Sequence, residues 1–201
     1  MSRPAPRAGA LRRCEPATTL IRCVPFLFFL LNSLLTSCAG GLGTVPNDTT
    51  HVEKAVQVSR DTSTGWVFYH GPAVTQEAEP EGFPEVGEIS LHANTNRLGD
   101  TRYFLTVDQR YRGHWRGAIH AADDEGHEFL AYSLRQGVEC EFNCEFQDAI
   151  VIELEGRYLT EHKHKGITLY LLGPNGYVST PFILTPAYIQ GFLLKIGRQS
   201  S

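Results

Sequence analysis

Apolar and polar residues alternate with a period of two along much of the chain after Trp66. Successive side chains of a β-strand point to opposite faces, so this alternation predicts strands that bury one face. The runs are rich in Val, Ile, Phe and Tyr, residues that favour strands, and turn residues separate them. The predicted strands are Trp66–Tyr69, Glu88–His92, Arg102–Val107, Trp115–Ala121, Phe129–Leu134, Ala149–Leu154, Gly166–Leu172 and Tyr177–Leu184.

Two turn signals support an antiparallel arrangement of these strands, the sequence DDEG at 123–126 and the sequence GPNG at 173–176. We therefore predict a mainly β fold, either an antiparallel β-sandwich or a barrel-like domain. The segment 70–87 (HGPAVTQEAEPEGFPEVG) fits no element. Its length, prolines and glutamates are typical of a long functional or disordered loop.

The C-terminal part of the chain predicts a short helix that packs on the sheet. Thr185-Pro186 is a helix start, with threonine as the cap and proline at the first helical position. Gly191 lies inside this helix and weakens it by about 1 kcal/mol relative to alanine. One apolar stripe follows the spacing i, i+3, i+4 and i+7: Ile189, Phe192, Leu193 and Ile196.

The first 37 residues predict a secretory signal peptide. Five arginines and a single glutamate precede an apolar run from Val24 to Leu35, and small residues follow. A basic stretch, a short apolar stretch and a small-residue site are the three parts of such a peptide. The run is shorter than the roughly 20 apolar residues of a stable membrane-spanning helix.

The sequence Leu35-Thr36-Ser37-Cys38 resembles the lipobox of bacterial lipoproteins, in which an aliphatic residue and two small residues precede a cysteine. In that family the thiol takes a diacylglycerol, a dedicated peptidase cuts before the cysteine, and the freed amine is usually acylated. Several acyl chains make membrane anchoring stable. The resemblance implies lipidation at Cys38, the membrane as a partner, and a domain in the periplasm. Ala39 stands where aspartate is the usual inner-membrane retention signal, which favours the outer membrane.

Cleavage at this site predicts a lipid-anchored, acidic mature chain. A small, polar, glycine-rich stretch follows the cysteine, so we predict a flexible tether over 38–55 and a single β-rich domain over 56–201. Loss of residues 1–37 removes 5 of the 18 basic and 1 of the 22 acidic residues, which leaves a net charge of −8. An acidic chain is a poor binder of nucleic acid or anionic lipid.

Two cysteines remain in the domain, Cys140 and Cys144, an even pair in an oxidising compartment. If they flank a three-residue hairpin turn, they occupy opposed strand positions about 4.5–5.5 Å apart, within the range that a disulfide accepts. We predict this disulfide. The alternative is a zinc site formed by Cys140, Cys144, His162 and His164, although the spacing is looser than in zinc-finger signatures. His162-Lys163-His164-Lys165 otherwise fits an exposed turn.

Two further segments carry chemically capable side chains. The sequence DDEGHE at 123–128 has enough carboxylates to hold calcium, but its order does not match an EF-hand loop, and a solvated hairpin turn is favoured. The segment 110–116 interleaves arginines with aromatics, which suits a phosphate, a glycan or an acidic partner; cross-strand pairing with carboxylates is the structural alternative. The candidate ligand contacts are Arg110, Arg112, His114, Trp115 and Arg116.

No motif for a hydrolase nucleophile elbow, a zinc protease, a phosphate loop or a dinucleotide site is present in the sequence, and we assign no catalytic residue and no cofactor. The leading hypothesis is a lipid-anchored cell-envelope module whose exposed edges or loops bind an envelope protein or a glycan. The alternatives are an envelope hydrolase whose site the sequence does not reveal, and a metal-binding lipoprotein.

Overall fold

A computed structural model of the chain describes residues 48–76, 85–140 and 144–199. The predicted signal peptide, Cys38 and the tether through residue 47 lie outside the described residues. The helices are α1 (Thr49–Ala55), α2 (Gly156–His162) and α3 (Pro186–Gln199), and a 3₁₀ turn covers Pro174–Gly176. The strands are β1 (Gln57–Arg60), β2 (Val67–His70), β3 (Val74–Thr75), β4 (Val86–Thr95), β5 (Thr101–Arg112), β6 (His120–Asp123), β7 (Glu128–Cys140), β8 (Cys144–Leu154), β9 (Ile167–Leu172) and β10 (Phe182–Leu184).

The strands form one open antiparallel sheet. Their order is β1-β2-β4-β5-β8-β7-β6-β9-β10, and β3 pairs with β4 beside this path. Because β1 and β10 end the path without pairing with each other, the sheet does not close into a barrel. The predicted mainly β, antiparallel fold with a C-terminal helix is confirmed.

Alternation along the central strands places every second side chain in one core. In β4, Ile89, Leu91 and Ala93 are at most 1% exposed. Paired positions on β5 and β8 continue this buried layer, for example Leu105 opposite Ile152. Alternate residues of β9 and β10 join the same core cluster, so the two ends of the sheet share it. Burial of one face therefore fixes the strand register, because a slip by one residue would turn the apolar face to solvent.

Helix α3 covers this core with the predicted stripe. Ile189, Phe192 and Ile196 are buried, and Leu193 packs against them while half-buried. Tyr188 is fully buried and its hydroxyl donates to the Pro72 carbonyl oxygen at 2.7 Å, while it accepts from the Leu91 backbone N–H at 3.0 Å. The helix is thus held to the sheet by apolar contact and by a satisfied buried hydroxyl.

Helix α1 corrects the prediction of a flexible tether over residues 38–55. Residues Thr49–Ala55 form a helix whose N-cap Asp48 accepts from the Thr50 backbone N–H at 2.9 Å. Val52 is completely buried. Arg198 of α3 reaches Glu53 across the helix pair at 2.6 Å. The tether prediction is wrong for these seven residues, because one apolar face of a short helix gave too little sequence signal.

Other element predictions need correction where tertiary contacts override local pattern. The predicted strand Trp115–Ala121 begins only at His120, and Trp115 and Ile119 are each 56% exposed. The predicted strand Tyr177–Leu184 is reduced to β10. Within 70–87, β3 adds a short strand, and residues 77–84 lie outside the described residues.

Candidate functional site

The turn between β6 and β7 is organised by the carboxylate of Asp123. Its Oδ1 accepts from the backbone N–H groups of Glu125 at 2.9 Å and His127 at 2.7 Å. Its Oδ2 accepts from the Tyr158 hydroxyl at 2.6 Å and lies 2.8 Å from His127 Nδ1. Gly126 completes the turn with a φ of 87°, which favours glycine. Asp123 is only 6% exposed, so the turn is anchored in the domain.

Helix α2 brings a histidine to this turn. Tyr158 and His162 are four residues apart and share one face of the helix, with ring centroids 4.0 Å apart. His162 Nδ1 lies 2.8 Å from the Tyr158 carbonyl oxygen, which can only accept, so Nδ1 carries the hydrogen. His162 is 6% exposed, and its Nε2 is buried without a hydrogen-bond partner among the described residues. An unsatisfied buried polar atom costs about 1–3 kcal/mol, so this nitrogen is a notable feature.

Glu125 extends from the turn toward the same histidine. Its Oε2 lies 3.6 Å from His162 Nε2, while its Oε1 pairs with Lys165 Nζ. One ligand-type atom from each of Asp123, Glu125 and His162 falls within 4.8 Å of the others. We call these three residues the Asp-Glu-His cluster.

Hydrogen bonds keep both carboxylates of the cluster ionised. Burial alone would raise the pKa of Asp123, but hydrogen bonds from Tyr158 and His127 outweigh it and lower that pKa to about 2. The hydrogen bond from Lys165 lowers the pKa of Glu125. Burial and the hydrogen bond to Asp123 raise the pKa of Tyr158, which keeps its hydroxyl a donor. The cluster therefore presents two anionic carboxylates beside one imidazole nitrogen.

The sequence predictions for this region are partly right. The hairpin turn at 123–126 is confirmed, but its description as solvated is wrong for Asp123. The exposed turn predicted at 162–165 is wrong for His162, which ends α2 and is buried. Tyr158, which links the two segments, was missed because the short helix α2 was not predicted. Its signal was the spacing of Tyr158, Leu159 and His162 on one helix face.

The alternative zinc set is not brought together. Cys140 and Cys144 are opposed at the end of the β7–β8 pair, with Cα atoms 4.2 Å apart and sulfur atoms joined as in a disulfide. His162 lies beside the turn that precedes β7, and the full length of β7, roughly 40 Å for an extended strand, runs from that turn to Cys140. The predicted three-residue turn, 141–143, lies outside the described residues.

Arg116 is held inside the domain by aromatic and acidic neighbours. It pairs with Glu85, and its guanidinium carbon lies 4.5 Å from the ring centroid of Tyr111 and 4.9 Å from that of Tyr177. Tyr111 in turn donates to the buried Asp148 carboxylate at 2.7 Å. Arg116 therefore pairs with a carboxylate, as in the structural alternative for the arginine-aromatic segment, and its guanidinium also contacts two tyrosine rings.

The other candidate contacts of segment 110–116 point to separate surroundings. Arg112 faces Glu145 across β5 and β8, with 3.7 Å between charged atoms. Arg110 is exposed and lines a cavity of about 340 Å³ together with Asp108 and Arg135. His114 is exposed. The structure therefore does not assemble these residues into one anion-binding site.

Trp115 lies beside the exposed part of β7. It lines a cavity of about 310 Å³ together with Val138 of β7 and Phe146 of β8. More than half of its surface is exposed, as is that of Val138. Gln136 and Asp148 add polar groups to a mostly apolar lining, which suits an apolar side chain of a partner.

A second polar cluster lies on the opposite face of β4 from the core. His92 Nε2 lies 2.9 Å from Ser90 Oγ and 3.0 Å from Thr106 Oγ1, and His92 Nδ1 lies 3.0 Å from His70 Nδ1. Burial, with a smaller contribution from His70, lowers the pKa of His92 to about 4. His92 is therefore neutral near pH 7 and can accept the Ser90 proton.

Comparison with known proteins does not assign the chain to a family: no family model, no curated protein and no solved structure matches it. Among residues 48–76, 85–140 and 144–199, no helix is long and apolar enough to span a membrane.

Proposed function

We propose that this chain is a lipid-anchored cell-envelope protein that binds an extended segment of a partner protein as an added strand along β7. The observation that carries the proposal is the long exposed edge of β7. The lipid anchor is supported by the lipobox-like sequence ending at Cys38, and the acidic mature chain favours a protein partner over an anionic membrane surface.

As far as the structure describes the chain, strand β7 is paired along both sides only at its beginning. β6 pairs with Glu128, Phe129 and Leu130, and the Ala131 backbone N–H donates to the Ile119 carbonyl oxygen at 3.1 Å. Beyond this point β8 alone accompanies β7 to Cys140 in the described part of the chain. Residues 132–140 are all exposed. With respect to the described residues, one side of this stretch therefore offers unpaired backbone donors and acceptors to another strand.

The same edge exposes three large apolar side chains to solvent. Leu134 is 69% exposed, Val138 57%, and Tyr132 51%. A long apolar edge strand favours association with another strand, and natural proteins normally cover or charge such edges. Backbone hydrogen bonds would supply affinity, and alternate side chains would enter pockets such as the cavity beside Trp115.

Charged residues and a bulge limit which strands can pair with this edge. Arg135 and Glu139 interrupt the apolar positions, and a β-bulge lies between Ser133 and Arg135. Both features are devices that limit indiscriminate strand pairing. We therefore expect a specific partner strand whose charges complement Arg135 and Glu139.

The test is recovery of the partner from envelopes by crosslinking and affinity purification of the full chain. Substitution of Leu134 and Val138 by lysine should abolish partner recovery, because charge on an edge strand blocks further pairing. Leu98→Lys is the matched control, since Leu98 is an exposed leucine (87%) in the turn between β4 and β5, neither of which pairs with β7. The melting temperature should be similar in all three proteins, because the substituted side chains are mainly in solvent.

Partner recovery that is equal in the β7 variant and in wild type would contradict edge binding. If sedimentation shows that wild type self-associates and the β7 variant does not, the partner is a second copy of this chain and not a foreign protein. Release of a glycan instead of a protein would favour the alternative ligand.

A hydrolase is the second candidate, favoured by the Ser90–His92–His70 hydrogen-bond chain. A hydroxyl, a neutral imidazole and a group that orients the imidazole are the parts of an activated nucleophile. If the chain is a hydrolase, a fluorophosphonate probe should label wild type and not Ser90→Ala. Thr106→Ala should keep the label, since Thr106 is the neighbouring hydroxyl and not the nucleophile. Equal labelling of wild type and Ser90→Ala would remove this candidate.

A further inference from the structure

We propose that the Asp-Glu-His cluster is a binding site for one divalent transition-metal ion, with zinc as the expected occupant. The cluster combines the turn between β6 and β7 with the last residue of α2. Its three ligand-type atoms, one from each of Asp123, Glu125 and His162, lie within 4.8 Å of one another. The site is independent of the β7 edge and of the Cys140–Cys144 pair.

The unpartnered nitrogen of His162 points to a ligand independently of the carboxylates. Nδ1 carries the ring hydrogen because it contacts the Tyr158 carbonyl oxygen at 2.8 Å. In the neutral imidazole the lone pair is therefore on Nε2, which is buried, has no hydrogen-bond partner among the described residues, and faces Glu125 Oε2 at 3.6 Å. That separation exceeds a hydrogen bond but leaves room for an ion drawn between the two atoms.

Contacts around the cluster match those that orient metal ligands in proteins. A metal-binding histidine usually donates its second ring N–H to a carbonyl or carboxylate, which fixes the tautomer and the ring orientation. His162 does so through Tyr158, and the Tyr158 hydroxyl also donates to Asp123 at 2.6 Å. One residue of α2 thus positions both the imidazole and a carboxylate.

Glu125, the third ligand, can move close enough to complete the coordination of an ion. Zinc bonds to nitrogen and oxygen are about 2.0–2.2 Å long, so tetrahedral ligand atoms lie roughly 3.4 Å apart, closer than the present spread. The Glu125 side chain is 46% exposed and can move toward His162. Lys165 occupies Oε1 of Glu125, which leaves Oε2 for the ion but makes the ammonium group a competitor for the carboxylate charge.

The donor set selects the class of ion. Calcium and magnesium prefer oxygen ligands alone, whereas an imidazole with carboxylates suits zinc and related transition metals. Once the exposed His127 side chain yields its position on Asp123 Oδ2 to the ion, three protein ligands leave a coordination position for water, as in zinc sites that are not fully closed by the protein. Zinc should therefore bind more tightly than calcium or magnesium.

The test is isothermal titration of the chelator-treated full chain, purified in detergent without a histidine tag, with zinc chloride, calcium chloride and magnesium chloride. We expect one zinc ion per chain and much weaker binding of the other two. His162→Ala should weaken zinc binding by about 100-fold or more, since even loss of a supporting residue costs 10–100-fold. His164→Ala is the matched control and should bind zinc as wild type does, because His164 is the exposed histidine of the same segment.

Two exposed positions keep the test valid if His162→Ala fails to fold. Glu125→Gln should weaken zinc binding at least about tenfold, and Lys165→Ala should strengthen it by removing the competing ammonium group. A structural role for the Lys165–Glu125 pair would not produce these opposite effects on zinc affinity. Absence of stoichiometric zinc binding would overturn the proposal. So would zinc binding that depends on His164, Cys140 or Cys144 instead of His162.

Discussion

At the scale of single residues, Asp123 shows how one buried carboxylate organises a surface turn. It accepts from two backbone N–H groups of the β6–β7 turn, from the His127 ring and from the Tyr158 hydroxyl on α2. Four hydrogen bonds to an ionised acceptor explain why it remains charged although it is almost completely buried. The turn, the helix and the candidate metal site therefore depend on the ionisation of this residue.

The lowered pKa of Asp123 predicts a component of stability that is lost in acid. Its pKa falls from 3.8 to about 2 on folding. A lowered pKa stabilises the fold above the unfolded value, and the contribution disappears as the pH falls from about 4 to about 2. The full contribution is about 2–3 kcal/mol, since one pKa unit corresponds to about 1.4 kcal/mol, and more than half of it is lost between pH 4 and pH 2.5.

Urea unfolding at pH 6, 4 and 2.5 measures this contribution. Asp123→Asn should be less stable at pH 6 and should lose about 1–2 kcal/mol less than wild type between pH 4 and pH 2.5. Asp124→Asn, at the exposed neighbouring position, should follow the wild-type pH dependence. If Asp123→Asn and wild type lose the same stability in acid, another carboxylate causes the acid dependence.

At the scale of elements, the contact between α1 and α3 depends on a glycine that helix propensity disfavours. A Cβ atom at Gly191 would lie 2.5 Å from the Thr49 carbonyl oxygen and 2.7 Å from Val52 Cβ. Both distances are too short for ordinary contact, so the glycine allows the two helices to approach. Gly191 lowers the helix propensity of α3, but the packing of α1 against α3 requires it.

We predict that replacing Gly191 by alanine destabilises the protein, although helix propensity alone favours alanine. Gly191→Ala should destabilise the protein by about 1–3 kcal/mol through overpacking, although alanine by itself favours a helix by about 1 kcal/mol. In the same helix, Gly197→Ala meets nothing within 4 Å and should be neutral or stabilising by up to about 1 kcal/mol. Thermal unfolding of the two variants tests the pair. Stabilisation by Gly191→Ala would mean that α1 does not pack on α3 in solution.

The end of the β7–β8 hairpin makes a second prediction at this scale. Cys140 and Cys144 are opposed strand positions, as expected for a short disulfide-closed hairpin. The purified mature protein should expose no free thiol before reduction and two after it, measured with a thiol reagent under denaturing conditions. Because the closed loop is so short, reduction should lower stability by less than the roughly 3 kcal/mol of a 15-residue loop. Two reactive thiols before reduction would contradict the disulfide.

At the scale of the whole molecule, the open sheet has a strand edge on β7 that lies outside the core. The helices and both ends of the sheet share one apolar core, while β7 beyond Ala131 projects with β8 alone beside it in the described residues. Pairing with a partner strand would cover this edge. On this proposal, the membrane anchor restricts where that partner is found.

The anchor itself is predicted to depend on Cys38. Metabolic labelling with a clickable fatty acid should label wild type, and Cys38→Ser should remove the label, leave the leader uncut by the lipoprotein-specific peptidase and alter membrane partitioning. Ser37→Ala is the matched control, since alanine is also small and should preserve the site. A label that persists in Cys38→Ser would contradict lipidation at this cysteine.

The sequence by itself determined the class of fold, because side-chain periodicity is a local property. Alternation identified most of the sheet, including the region of β5 and β8, and the stripe from Ile189 to Ile196 identified α3. The turn residues at 123–126 likewise encoded the β6–β7 hairpin. Periodicity states which face of a strand is buried, but it does not state which strands become neighbours.

Tertiary structure alone decided the features on which the proposed function and the proposed metal site rest. It brought His162 to Asp123 from a distant part of the chain, buried a histidine that local polarity placed in solvent, and engaged Arg116 with Glu85 and two tyrosines. Among the residues that the structure describes, it also left β7 without a second neighbour along 132–140. These outcomes depend on contacts between segments far apart in the sequence, whose energies no short stretch of residues contains.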